Sequence, residues 1–100
     1  MRLPKILVFE WDEGNIDKSY AKHNISPKEA EEIFVSEELF VLPDKKHSRG
    51  EERHIALGKT QEGKGLFVIF TLRDKKIGII SARGMHKKEV EKYEKTKKNT

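Results

Sequence analysis

Arg83 closes the run Ile80-Ser81-Ala82-Arg83, a small-residue step that delivers a cation to the end of an apolar strand. A guanidinium there presents a planar fork of donors that fits two phosphate oxygens and can stabilise charge on a developing phosphorane. Ser81 falls on the same side of the pleat as Arg83. The structural alternative is an ion pair with a carboxylate of the segment that follows, such as Glu89. Arg53, within Glu51-Glu52-Arg53, faces the same surface if the strands carrying the two arginines flank residues 66–72. Otherwise it forms a cross-strand ion pair, worth little at a surface. His47 and His23 titrate near neutral pH, so each is a candidate for moving a proton or else a plain solvated imidazole. Lys22-His23 also suit a helix C-terminus, whose dipole favours cations.

Other chemistries lack their residues. The four histidines show neither HxH nor HExxH spacing and make a poor metal site. There is no cysteine, hence no disulfide framework, thiolate nucleophile or cysteine-ligated zinc. No Walker loop, GxSxG or glycine-rich dinucleotide turn is present, which leaves nucleotide phosphoryl transfer and hydride transfer without support. Tyr93, three residues from Val90, reads as core rather than as a base-stacking ring. Trp11, beside Asp12, reads as buried at a strand–helix junction.

The elements that must position these side chains centre on His54–Met85. Three apolar runs there are separated by the turns Glu62–Gly65 and Arg73–Lys76, which predicts antiparallel neighbouring strands. In the middle run Leu66, Val68, Phe70 and Leu72 share one face while Phe67 and Ile69 share the other. It is therefore a central strand covered on both sides. Upstream, residues 3–10 predict a first strand, and Asp12 is an N-cap for a helix over about 13–22, although Gly14 weakens it. Ser26-Pro27-Lys28-Glu29 predicts a capping box with proline at the first helical position. From there Ala30, Ile33 and Phe34 line one face through about Val35. Leu39–Leu42 predicts a short strand stopped by Pro43, a polar loop over 43–50 follows, and a strand spans 52–60. Beyond Gly84-Met85 a last helix runs through about Lys95 with a thin apolar side of Met85, Val90 and Tyr93. It either crosses the sheet on few contacts or awaits a partner. The tail at 96–100 is expected to be disordered.

The chain has 100 residues, the size of one domain with one modest core. Its longest apolar runs are far too short to span a bilayer, and its N-terminus does not read as a signal peptide, so a cytoplasmic location is expected. The net charge of +4 conceals an asymmetry: residues 1–52 carry 8 Lys/Arg against 12 Asp/Glu, residues 53–100 carry 13 against 5. A basic half built on a sheet suits a polyanion; the alternative is the solvated face of a highly charged protein.

Three fragments fall together in order: FEWDEGNIDKSYAKHNISPKEAEEIF, DKKHSRGEERHIALGKT and LFVIFTLRDKKIGIISARGMHKKEVEKYE. Together they resemble the BrnT family of toxins from type II toxin–antitoxin pairs, over about Val8–Glu94. The resemblance implies a fold similar to the RelE type: α+β, an antiparallel sheet of four to five strands with two N-terminal helices and one C-terminal helix, in a single domain over residues 1–95. It also implies a metal-independent endoribonuclease that cuts messenger RNA without a cofactor. A BrnA-type antitoxin of the ribbon–helix–helix kind would neutralise it and bind promoter DNA on behalf of the pair. On the family's pattern Lys22-His23 match a KH pair, His47-Ser48 an HS element, Glu52-Arg53 part of EER, Arg83 the arginine of ISAR, and Glu89 with Tyr93-Glu94 a terminal ERxxYE. Arg83, Arg53, His47 and His23 are then the expected catalytic residues, and Lys22, Arg73, Lys87 and Lys88 the expected RNA-binding cations. Asn15, Ser19, Gly78 and Val90 depart from the pattern; Gly78 and Val90 stand where relatives often carry arginine. A catalytically weak protein that still docks its antitoxin or nucleic acid is the alternative.

Overall fold

The computed structural model describes residues 3–11, 24–46 and 50–98. The helix expected over 13–22 lies outside them, as do Lys22, His23, His47, Ser48, Asn15 and Ser19. Within them lie β1 (Phe9–Trp11), α1 (Pro27–Glu32) with a 3-10 turn at Ile33–Val35, β2 (Phe40–Pro43), β3 (His54–Lys59), β4 (Gly65–Arg73), β5 (Lys76–Gly84) and α2 (Lys87–Lys98).

The strands form one sheet in the order β1-β5-β4-β3-β2. β2 to β5 pair antiparallel, as the short turns require, but β1 lies parallel to β5. The expectation of a wholly antiparallel sheet is therefore corrected. A parallel pair needs a long crossover, and the whole of residues 12–75 intervenes here. β1 is also shorter than the expected 3–10. Phe9 is already level with Ile77, and the Val8 carbonyl accepts the Ile77 amide at 2.7 Å; the residues before Val8 lie beyond the start of β5 at Lys76. That turn holds Asp74 and Lys75 at φ 49° and 64°, the positive values a tight two-residue hairpin requires.

The capping box forms as expected: the Glu29 amide donates to Ser26 Oγ at 3.2 Å, and the Ser26 amide donates to Glu29 Oε1 at 3.0 Å. It aims Ala30, Ile33 and Phe34 at one face of the sheet. There they bury with Ala56, Leu66, Val68, Phe70, Ile77, Ile79 and Ala82. Phe34 packs edge-on against Phe70 and Phe9, with centroids 5.1 and 5.5 Å apart. Gly58 allows this closeness, because a Cβ there would lie 3.0 Å from Ile33 Cβ. Trp11 is half-buried beside this core and donates from Nε1 to Glu31 Oε2 at 3.1 Å.

The opposite face carries α2, which crosses the sheet rather than standing away from it. Tyr93 is its anchor: the ring is buried against Phe40 at 5.4 Å, and the hydroxyl donates to the Glu38 carbonyl at 2.6 Å. Ion pairs Lys59–Glu94 at 2.7 Å and Lys97–Glu38 at 2.9 Å flank it. Through the second of these, α2 continues to Lys98, past the expected end near Lys95. An apolar pattern does not report a turn held by charge, which is why the sequence reading stops short.

Candidate nucleic-acid interface

Strand register assigns every candidate side chain a face. Arg83 is level with Phe67, Phe67 with Leu57 and Leu57 with Phe40, so these four form one row across the sheet. The next row is Leu42, Ile55, Ile69 and Ser81. Arg53 directly precedes β3 and continues the alternation of Ile55 and Leu57 onto this same face. Its carbonyl accepts the Asp44 amide at 2.9 Å, and the neighbouring Glu52 carbonyl accepts the Thr71 hydroxyl at 3.0 Å. These bonds tie the 51–53 segment to strands on either side. A bulge at Ile69/Phe70 puts Thr71 level with Gly78, in the row below Ser81.

Arg53 and Arg83 therefore share a face, as the sequence analysis requires of an RNA site. They are four residues apart along the strands and two strands apart across them, about 16 Å between Cα atoms. That distance suits two different phosphates of a strand better than one.

α2 lies over the Arg83 row and leaves the half of the face bearing Ile55, Ile69 and Ser81 uncovered by it. Glu94 pairs with Lys59, so the flank of α2 bearing Glu94 looks toward the Lys59 end of the sheet. Lys87, seven residues before Glu94, lies on that same flank, and so does Val90. Lys88 and Lys92, one turn apart, occupy the other flank and overlook the uncovered half. The structure thus separates two cations that the sequence reading grouped: Lys88 lies on the flank of α2 toward Ile55, Ile69 and Ser81, and Lys87 on the flank toward Lys59. Lys92 was missed, and its only signal is its four-residue spacing from Lys88.

Arg83 is not an isolated cation. Its Nη1 and Nη2 donate to Glu89 Oε1 and Oε2 at 2.7 and 2.8 Å, and Nη1 also donates to the Gly84 carbonyl at 3.1 Å. Its guanidinium carbon lies 3.9 Å from the centre of the Phe67 ring. The ion pair weighed as the structural alternative thus exists, and both partners keep about a quarter of their side-chain surface exposed, 25% and 24%. Hydrogen bonds from Arg83 hold the Glu89 carboxyl below its ordinary value of 4.5, against an opposing effect of burial.

At the far end of the face Arg73 donates from Nε and Nη2 to Glu51 at 2.6 and 2.8 Å, with 47% and 38% of the side chains exposed. Arg73 lowers the Glu51 pKa chiefly through these bonds, and the charge of Arg53 acts in the same direction with smaller effect. A Cβ at Gly78 would lie 3.2 Å from the Thr71 methyl and 3.6 Å from Arg73 Nη1. The space beside Gly78 thus already holds a guanidinium, supplied from the adjacent strand. Among the described residues no group of three or more His, Cys, Asp and Glu side chains could hold a metal ion. No helix among them is long and apolar enough to cross a membrane.

Residues 11–89 match the family described as the ribonuclease toxin BrnT of type II toxin–antitoxin systems. The chain belongs to the BrnT family. A crystal structure of the Brucella abortus ribonuclease toxin BrnT, at 1.1 Å resolution, has the same fold, with a TM-score of 0.62. It covers 83% of this chain and 100% of that one, at 21% sequence identity. None of the curated proteins compared with the chain matches it. Within this BrnT-family fold, the five strands and α2 together place three arginines on one face.

Proposed function

We propose that this BrnT-family protein is an endoribonuclease whose substrate lies across the uncovered half of the α2-bearing face. In this reading the substrate's own 2′-hydroxyl attacks the adjacent phosphorus and the 5′-oxygen of the next nucleotide leaves. One protein group takes the 2′ proton and another gives a proton to the leaving oxygen; the products end in a 2′,3′-cyclic phosphate and a 5′-hydroxyl. Arg83 and Arg53 stabilise the phosphates, and His47 and His23 are the candidates for the proton steps. Arg73, Lys88 and Lys22 hold the flanking strand, with Lys92 added from the flank of α2. No step calls for a metal. A ribbon–helix–helix antitoxin of the BrnA type is the proposed neutralising partner, carrying the pair to its promoter in the cytoplasm.

The observation that carries this reading is the convergence of Arg53, Arg73 and Arg83 on one face of the sheet. Of the departures from the family pattern, the one at Val90 lies on the flank of α2 turned away from that half, and the one at Gly78 is occupied by Arg73. The test is incubation of pure protein with RNA. Fragments ending in 2′,3′-cyclic phosphate, formed equally with EDTA and lost in Arg83→Ala, are the expected result; RNA left intact at micromolar protein would refute it.

One observation favours a second reading, a binding module without chemistry. Both Arg83 and Arg73 already pair with carboxylates, which lowers the net charge a phosphate meets. Steeply salt-dependent RNA binding without cleavage would mark that case.

A further inference from the structure

The Arg83–Glu89 pair uses only part of the guanidinium. Glu89 takes the end-on edge, one proton from Nη1 and one from Nη2, and the Gly84 carbonyl takes the second Nη1 proton. No described residue accepts from the remaining edge, which consists of Nε–H and the second Nη2–H. That edge is itself a bidentate fork of the spacing that phosphate oxygens fit. Two further contacts fix its direction. Phe67 lies under the guanidinium plane at 3.9 Å, and Glu89 is in turn fixed by the His86 amide, which donates to Oε1 at 2.7 Å.

We propose that Glu89 is a positioning residue: it grips the terminal edge of Arg83, holds the guanidinium flat on Phe67, and leaves the Nε–Nη2 edge as a preset two-donor fork for an RNA phosphate. This rests on the nuclease reading for its substrate but not for its geometry. A flexible arginine would have to be ordered when the phosphate arrives; this one is already ordered, so its donors meet developing charge without reorganisation. Because the pair is close to neutral, Arg83 adds little long-range attraction. Lys88 and Lys92 supply that from the flank of α2, and Arg83 supplies direction. Competition by Glu89 for the same edge, which would make it a mask, is the opposite role, and the occupied edge argues against it.

The discriminating variant is Glu89→Gln. Glutamine at the third helical position retains the bond back to the His86 amide and so keeps the start of α2, but it accepts only one of the two Arg83 bonds. The expected result is a folded protein whose RNA affinity is unchanged or tighter and whose single-turnover cleavage is slower by about tenfold, less than the hundredfold typical of losing a transition-state donor outright. Cleavage at the parental rate or faster would overturn the proposal in favour of a mask. An independent reading uses an uncleavable 2′-deoxy oligonucleotide and the Arg83 Nε–H signal in ¹⁵N-resolved NMR. A sharp signal that shifts on titration of the parental protein, and broadens in Glu89→Gln, is expected; no shift at saturation would overturn the fork. Should the parental protein leave RNA intact, the nuclease reading fails by itself and the Nε–H titration still decides this one.

Discussion

Arg73 and Arg83 each grip a glutamate through two hydrogen bonds of 2.6–2.8 Å on the same face of one sheet, yet the two pairs are built for different work. Arg73 spends its Nε–Nη2 edge on Glu51 in an exposed setting, where solvent screens the charges and two long side chains must be ordered to meet. Arg83 spends the opposite edge on Glu89, with an aromatic ring beneath it and a helix start behind its partner. Equal distances therefore do not mean equal pairs. What an arginine can still bind depends on which edge is taken, and how firmly it is held depends on what lies behind the carboxylate.

Five changes break or sharpen this contrast. The largest is Tyr93→Ala. It empties a fully buried site, removes the hydroxyl that reaches the Glu38 carbonyl, and should cost about 3–5 kcal/mol in a denaturant titration. Because α2 carries Glu89 but not Glu51, the Arg83 Nη protons that Glu89 accepts should lose their protection from exchange, while the Arg73 Nε–H, bound to Glu51, keeps its own. Equal loss at both would remove the distinction. Next, Arg83→Ala should slow RNA cleavage about a hundredfold. Arg73→Ala should instead weaken RNA binding and reduce the slope of log K against log salt by about one, with the cleavage rate of bound RNA little changed.

Acid titration sharpens the contrast further. Both glutamates have folded-state pKa values below the ordinary 4.5, so the native state binds fewer protons than the unfolded chain in that window. The stability they contribute is complete above about pH 4.5 and is lost as pH falls through the lowered values. Melting temperature followed downward from pH 5 should fall less steeply in Glu89→Gln than in the parent. Glu51→Gln should follow the parental curve closely, since its carboxylate is the more exposed. The smallest effect is that of salt: raising it should loosen Arg73–Glu51 measurably before Arg83–Glu89, seen as earlier broadening of the Arg73 Nε–H signal.

Much of this arrangement is legible in the chain, for reasons that can be named. The strands from His54 to Gly84 follow from apolar runs of period two broken by turn residues, and α1 follows from a capping box whose four residues signal it locally. Arg83 was marked by its place at a strand end, and its pairing with Glu89 was foreseen as an alternative to phosphate binding. What could not be foreseen was that both descriptions fit one side chain, because the edge of a guanidinium that a carboxylate occupies leaves no trace in sequence. The parallel placement of β1 was missed for a related reason: nothing in Phe9-Glu10-Trp11 states which neighbour it will meet after a long excursion. Lys87 and Lys88 looked equivalent until the Glu94–Lys59 pair fixed the rotation of α2.

Local rules thus settled the elements of this protein: periodicity chose strand or helix, caps and turns chose their ends, and the order of motifs pointed to the BrnT family. Tertiary structure alone decided which cations share a surface, which flank of the last helix overlooks it, and which donors of Arg83 stay available. The division is physical. Backbone preference and hydrophobic period act over a few residues, whereas the direction of a charged side chain is set by partners that only folding brings within three ångströms.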